Sequence, residues 1–518
     1  ILDSNRDRVM IRYTLLEAQS PTKIRIQPFL AFRGYHQLQK ANDRINRSYE
    51  LVPNGVKFQL YPNYDPLYLQ LSKEATFISK PDWYYNLEYI QERERGYDYQ
   101  EDLFVPGCLE FEISKGESVI FSAGLTDADP ETRATAFSKE IARRIPRNNF
   151  ENCLKNSAGQ FIRKRDGEVR IIAGYPWFWW WGRDTFIAAP GLILTTGDKA
   201  TFLEIMDTMS KDLKGALFPN IGSGDYMNMT SMDAPLWFFW SLQQYIHYTG
   251  DKKTIQNRYL AKLRGILEGY KEGADFKIHM LPSGLIWGGQ EGLALTWMDA
   301  ITPDGPVTPR IGCPVEIQAL WYNALCFYHE LSGDDEYLTL ATKVKESFDR
   351  EFWSWEYGYL ADVVGEEEKD WSIRPNMVLA TSLPYRILEE EKCDKVLEIV
   401  KSKLLTPRGL RSLSPDDPGY KGYYFGNQIS RDQAYHNGTV WAWLLGHFAE
   451  GYLKLHGKAA KIFVEKIIKG FDGVMTQYGI GTVAEIYDGD APHRPKGSVS
   501  QAWSIAELLR MMDLVKQV

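Results

Sequence analysis

Two periodicities divide this chain. Over residues 1–125 apolar side chains alternate with polar ones or gather in short runs: RVMIRYTLLE, KIRIQPFLAF, GVKFQLYP and CLEFEISKGESVIFSAG, with Pro, Gly and Asn between them. Such patterning predicts strands, and one-sided burial of those strands predicts an antiparallel β-sandwich. From about residue 165 apolar positions recur instead at i, i+3 and i+4, the helical signature. LEIMDTM, APLWFFWSLQQYIHY, VEIQALWYNALCFYHE and AWSIAELLRMM all show it; in the third, Ile317, Leu320, Trp321, Ala324, Leu325 and Tyr328 make one face. Between the two patterns, 126–164 is charged and helical in period and predicts a linker helix region. The expected organisation is therefore 1–125, 126–164 and 165–518.

Helix ends are marked. Ser231 and Asp233 precede Ala234 and Pro235, a cap with Pro in the first turn. TTGDK, TGDK and LSGDD, around Gly197, Gly250 and Gly333, each give a helix, then Gly, then Asp to cap the next helix. About a dozen helices fit between 165 and 518. Loops of ten or more residues separate alternate helices, which predicts antiparallel pairs with one long loop per pair. Long loops on a helical scaffold are where function is expected.

Composition sharpens the division. Of 16 Trp, only Trp83 precedes Trp177. A net charge of −8, with no basic run, argues against a nucleic-acid partner or a charged membrane surface. No apolar stretch approaches the ~20 residues that span a bilayer. Five cysteines without CxxC spacing predict reduced, mostly buried thiols and a cytoplasmic protein. The chain opens on Ile1 in what reads as mid-domain sequence, so a preceding segment, an export signal included, is left open. Eight histidines without HExxH give no metal site, and no phosphate or dinucleotide loop implies a cofactor.

The long loops share a vocabulary of Asp or Glu beside Trp or Tyr. PWFWWWGRDT (176–185) is the densest case; others are YMNMTSMDAPLWF (226–238), GLALTWMDA followed by ITPDGPVTPRIGCPVEIQALWYN (292–323), RDQAYHNGTVWAWLLG (431–446) and VAEIYDGDAPHRPKGSVSQAWSIAE (483–507). Flat apolar rings beside charged hydrogen-bonding groups suit a sugar pocket. Glycoside hydrolysis needs two carboxyls, one giving a proton to the leaving oxygen and one activating water or attacking carbon. Asp299 and Glu485 are the chosen pair. Asp299 is flanked by Trp297 and Met298, an apolar setting expected to raise its pKa toward general-acid duty. Glu291, Glu316, Asp488 and Asp490 are rivals on chemistry alone. An ordinary cap at Asp299 and an ion pair of Glu485 with Arg494 or Lys496 remain the bland alternatives.

Five of these motifs, in order, resemble the C-terminal domain of glycogen debranching enzymes, the amylo-α-1,6-glucosidase family: WGRD at 181–184, SxDAxLWF at 231–238, TWMDA through VTPRxGxPVEIxALWYNAL at 296–325, RDxAYHxGTVWxWLLG at 431–446, and EIxDGDxPHxPxGxxxQAWSxAExLR at 485–510. One position departs: Asn437 stands where the family pattern often has Gln. The resemblance implies a mostly α fold, an (α/α)6 barrel of the six-hairpin glycosidase type preceded by the β-sandwich. It implies inverting hydrolysis with Asp299 as general acid and Glu485 as general base. It implies that Arg183, Asp184, Asp233, Arg310, Trp441 and His493 lie around the subsite that holds the non-reducing glucose; Trp181, Trp297, Glu316 and His436 are further sugar-binding candidates on their chemistry. The implied substrate is glycogen or a branched α-glucan. The 125 strand-like residues are too few for the (β/α)8 transferase barrel of eukaryotic debranching enzymes, ~250 residues, so a separate enzyme is expected to trim the branch first. A glucoamylase- or trehalase-like activity, or glycan binding without catalysis, remain the alternatives.

Overall fold

The computed structural model describes residues 1–3, 6–222 and 227–518. Tyr226, which opens the second of the loops above, lies outside the described residues. The chain forms two compact units, Ile1–Ile145 and Pro146–Val518.

In the first unit β1 (Arg8–Thr14), β2 (Thr22–Ile26), β3 (Tyr49–Val52), β4 (Gly55–Phe58), β5 (Leu67–Leu71) and β6 (Thr76–Glu88) precede a short α1 (Ile90–Glu94). Then come β7 (Gln100–Ile113), β8 (Ser118–Gly124) and α2 (Pro130–Arg143). Two antiparallel sheets result, ordered β1-β8-β5-β4-β3 and β2-β7-β6. Val56, Phe58, Leu69, Leu71, Val119 and Phe121 from the first sheet and Trp83, Phe104, Leu109 and Phe111 from the second share one core. This is the sandwich that the alternation predicts.

The second unit begins with α3 (Phe150–Phe161). It continues through α4 (Gly182–Ile193), α5 (Lys199–Lys211), α6 (Ala234–Thr249), α7 (Lys252–Glu272), α8 (Val315–Ser332) and α9 (Asp335–Phe352). After these come α10 (Leu379–Ser382), α11 (Glu390–Lys403), α12 (Gln428–Tyr435), α13 (Leu444–His456), α14 (Lys461–Lys469) and α15 (Ala502–Gln517). Helices α4, α6, α8, α10, α13 and α15 pack each on the next, and α15 packs back on α4, closing an inner ring. Helices α3, α5, α7, α9, α11 and α14 lie against that ring. The architecture is an (α/α)6 barrel.

Sequence separates the two rings. All twelve residues of α4 are buried, as expected for a helix that is apolar all round beyond its first turn. Helix α9 buries only a stripe, Tyr337, Ala341, Val344, Phe348 and Phe352, and gives its charged face to solvent. The punctuation works as read: Gly197, Gly250 and Gly333 adopt left-handed φ values of 82°, 70° and 73°. Asp198, Asp251 and Asp334 then accept from the N–H groups of Thr201, Thr254 and Glu336 at 3.0, 3.0 and 3.1 Å. The segment 126–164 divides: α2 belongs to the first unit, while α3 buries Leu154, Ser157, Ala158 and Phe161 in the second and supplies its sixth outer helix.

Connections from inner to outer helices are short. Those from outer to inner helices are long (162–181, 212–233, 273–314, 353–378, 404–443 and 470–501), and all lead into the start of an inner helix. Six helix N-termini with their partial positive charge thus face one cluster of loops. No helix among the described residues is long and apolar enough to cross a membrane.

The seam between α4 and α15 is tight: a Cβ on Gly191 would collide with the backbone carbonyl of Ala506. Gly191→Ala is expected to destabilise the barrel by about 1–3 kcal/mol through overpacking. A lower melting temperature by circular dichroism checks this; an unchanged one would mean that the two helices separate freely.

Candidate active site

Arg183, in the first turn of α4, organises the site. Its Nε donates to Asp233 Oδ2 at 2.5 Å and its Nη1 to Asp299 Oδ2 at 3.2 Å. Nη2 is buried without a hydrogen-bond partner among the described residues. The predicted cap at α6 is shared out. Ser231 Oγ accepts from the Ala234 N–H at 3.2 Å and donates to Asp233 Oδ1 at 2.6 Å. Asp233 makes no cap hydrogen bond of its own; its carboxylate is turned to Arg183. Asp184 lies in the same first turn as Arg183, buried, where Gln501 Nε2 donates to it at 3.4 Å. Burial pushes the Asp184 carboxyl up to about 7, aided by the negative charges of Asp299 and Glu485 and opposed by Arg183.

Glu485 is buried and held on both oxygens. The Tyr435 hydroxyl donates to Oε1, and the Ser498 N–H donates to Oε2 at 2.8 Å. Neither Arg494 nor Lys496 pairs with it, so the ion-pair alternative falls away. Burial raises its carboxyl to about 7 against the pull of those two donors, and the charge of Asp299 adds to the rise. The two chosen carboxyls are therefore electrostatic neighbours although 186 positions separate them.

Asp299 corrects an expectation. Burial does act to raise its pKa, but the net shift is downward, because His436 and Arg183 together outweigh it. Its side chain is 21% exposed, and Oδ1 stands 3.8 Å from His436 Nε2. The apolar neighbours that prompted the expectation point elsewhere. Trp297 donates from Nε1 to Asn376 Oδ1 at 2.6 Å and packs edge-on against Trp441 and Trp443.

His436 is buried and stacks on Trp441 at 5.2 Å with an interplanar angle of 9°. Burial lowers its pKa, opposed by Asp299, which favours a neutral ring. Trp297 meets His436 edge-on at 5.1 Å, and Trp441 donates to Thr439 Oγ1 at 3.0 Å. Both indoles thus form a wall behind the histidine and present no free face. Trp181, half-buried at the start of α4, keeps an indole N–H without a partner among the described residues.

Arg310 and Glu316 are committed to each other. Arg310 Nη2 donates to Glu316 Oε2 at 2.7 Å and Nε to Asp362 Oδ2 at 2.9 Å, all buried. Asn376 Nδ2 reaches Asp362 Oδ1 at 2.7 Å, which joins this cluster to Trp297. Arg310 and Glu316 therefore support the wall from behind. His493 accepts a left-handed φ of 57° and sets Nδ1 3.0 Å from the Asp488 carbonyl. Asn437 bridges Arg374 Nη2, at 3.0 Å, to the Gln433 carbonyl, at 3.1 Å, and so fixes the strand after His436.

Sequence reasoning missed Tyr435, Ser498, Asp362, Arg374 and Asn376. Tyr435 adjoins His436 in RDQAYHNG, which is a local signal; the others carry none. Among the described residues no group of three or more His, Cys, Asp or Glu side chains forms a metal site.

Comparisons with known proteins bear on this arrangement. Residues 1–120 match the family described as glycogen debranching enzyme N terminal. Over 376 residues the chain is 25% identical to the glycogen debranching enzyme of Saccharomyces cerevisiae, covering 54% of this chain and 24% of that one. It thus spans about a quarter of the yeast protein's length. A bacterial glucoamylase solved in complex with acarbose superposes with a TM-score of 0.58 at 14% identity, over 90% of this chain and 75% of that one, which is a likeness of fold. The amylo-alpha-1,6-glucosidase family model matches residues 156–510, the whole barrel from α3 into α15, and the chain belongs to that family.

Proposed function

We propose that this chain is a glycoside hydrolase that removes single α-1,6-linked glucose residues from glycogen or a trimmed α-glucan, with inversion at the anomeric carbon. The observation that carries the reading is that one turn of α4 links the two carboxyls: Arg183 donates to Asp299, and Asp184 beside it accepts from Gln501, which Ser498 joins to Glu485. Inverting hydrolysis uses such a pair, one as acid and one as base. Asp299 protonates the leaving oxygen, and Glu485, aligned by Tyr435 and Ser498, takes a proton from water. Arg183 and Asp184 hold sugar hydroxyls, and His436 sets its Nε2 3.8 Å from Asp299 Oδ1. A separate glucan-trimming enzyme supplies branches cut back to one glucose.

Burial raises Glu485 while His436 and Arg183 lower Asp299, so Glu485 holds the proton of the pair the more tightly; in the proposed mechanism sugar binding shifts it toward Asp299. Glu485 is already buried, whereas Asp299 still meets water, so a glucose that displaces this water penalises the charged form of Asp299. Activity requires one proton on the pair. We expect kcat/KM to hold below about pH 7 and to fall above it, as Glu485 gives that proton up. The acid limb lies below the ordinary aspartate value of 3.8. A profile that keeps rising through pH 8 would contradict the pair. Either assignment of roles gives the same profile, because coupled groups titrate as a unit.

Proton NMR of the sugar released from a dextrin bearing one α-1,6-glucosyl branch tests the reading. Fresh β-glucose supports it. Fresh α-glucose means retention and a nucleophilic carboxylate; release only from maltose or trehalose replaces the substrate.

A further inference from the structure

The long connection into α10 carries Arg374-Pro375-Asn376, three residues to which the hydrolytic reaction gives no role. Pro375 opens a 3-10 turn, Pro375–Val378, and Arg374 before it is extended, as a residue preceding proline is. Arg374 and Asn376 are both buried.

Asn376 grips the residues that lead into Asp299. Its Oδ1 accepts from the Trp297 indole at 2.6 Å, and its Nδ2 donates to Asp362 Oδ1 at 2.7 Å and lies 3.6 Å from Met298 Sδ. An indole N–H only donates and a carboxylate only accepts, so the amide has one orientation. Arg374 grips the backbone at His436. Its Nη1 donates to the His436 carbonyl at 2.7 Å and the Ser412 carbonyl at 3.2 Å, and its Nη2 to Asn437 Oδ1 at 3.0 Å. The same Nη1 stands 3.9 Å from Met298 Sδ. One short segment, stiffened by proline, thus holds residues 297–298 and residues 436–437 together.

Between those two grips lies the contact of Asp299 Oδ1 with His436 Nε2, at 3.8 Å. The geometry points to Arg374 and Asn376 as positioning residues that set Asp299 against His436 and so fix where the acid delivers its proton. The inference rests on the general-acid role proposed for Asp299. Both residues act through their neighbours and touch no reacting atom. Arginine suits the task because its planar fork spans acceptors on two loops, at Ser412 and at His436–Asn437; a lysine ammonium is a point donor on a flexible stem.

Arg374→Lys keeps the charge and loses the fork. On a dextrin bearing one α-1,6-glucosyl branch its kcat is expected to fall roughly 10–100-fold with KM little changed, the scale of a catalytic group misplaced by about 1 Å. On α-glucosyl fluoride, whose leaving group needs no proton, we expect little change, and that retained activity reports an intact fold and base. Asn376→Ala, which frees Trp297 and Met298, is expected to behave likewise. Asn437→Ala removes only the half-buried end of the Arg374 contacts and should show the same pattern more weakly. If neither buried variant folds, Asn437→Ala decides by the same two rates. Equal losses on both substrates, or undiminished dextrin hydrolysis, overturn the positioning role. Wild-type protein that hydrolyses the fluoride and leaves the branched dextrin intact overturns instead the proposed function beneath it.

Discussion

Asp299→Asn and Glu485→Gln are each expected to lower kcat on a branched dextrin by roughly 10²–10⁴-fold, the contribution of a positioned acid or base. Both variants should fold. The amide at 485 replaces a carboxyl whose charged form burial disfavours, and the amide at 299 leaves Arg183 its partner Asp233. Substrate chemistry separates the roles. Fluoride leaves α-glucosyl fluoride without a proton, so the acid variant keeps most of its activity there while the base variant loses it. On the proposed assignment Asp299→Asn retains fluoride hydrolysis and Glu485→Gln does not. The reverse pattern would exchange the two roles, and near-normal dextrin hydrolysis by either variant would remove that residue from the mechanism.

The second large effect concerns stability. Arg510 on α15 is buried between Glu450 of α13 and Glu507; its Nη2 donates to Glu507 Oε2 at 2.6 Å, and Nη1 bonds Glu450. Arg510→Met leaves buried carboxylates without their cation and is expected to cost about 3–5 kcal/mol. The pH dependence has a definite sign. Lys454 and Arg510, together with His447, hold Glu450 down at about 2 against the effect of burial. In the wild type this stabilises the fold above the ordinary glutamate value of 4.5 and is lost as pH falls toward 2. The variant's deficit should therefore be largest at neutral pH and shrink near pH 4. Adding Glu450→Gln and Glu507→Gln should restore much of the loss at pH 7. Melting temperatures of the three proteins at both pH values decide it; a deficit independent of pH would mean lost packing rather than stranded charge.

Periodicity made the two architectures legible because burial in each is one-dimensional: every second residue in a strand, every third or fourth in an outer helix. The Gly-Asp stops at 197, 250 and 333 were equally legible, since a left-handed glycine and a capping aspartate act within a few residues. The sixth outer helix was not. Nothing in the composition of 150–161 distinguishes a helix that closes a barrel from one that links two units. Within the site, the carboxyl pair came from the motifs, but the electrostatics of Asp299 did not. Trp297 and Met298 are neighbours along the chain, whereas the groups that set its pKa, Arg183 and His436, come from 116 residues before and 137 after. The same holds for Tyr435 and Ser498 around Glu485. A pocket built where six helices begin collects side chains from six distant loops, and no local window contains them.

The contact of Gln501 with Asp184 spans 317 positions, and the seam at Gly191 and Ala506 joins the same two helices. During synthesis, the first inner helix therefore waits for the last. At ribosomal speeds of about 5–20 residues per second, that wait is roughly 15–60 s. For that interval α4, apolar beyond its first turn, lacks one of the two inner helices that flank it. Until α15 emerges, the Gly191 face of α4 has no Ala506 to pack on and Asp184 has no Gln501 to bond, so the seam and the hydrogen bond at the candidate site form in the same closing step.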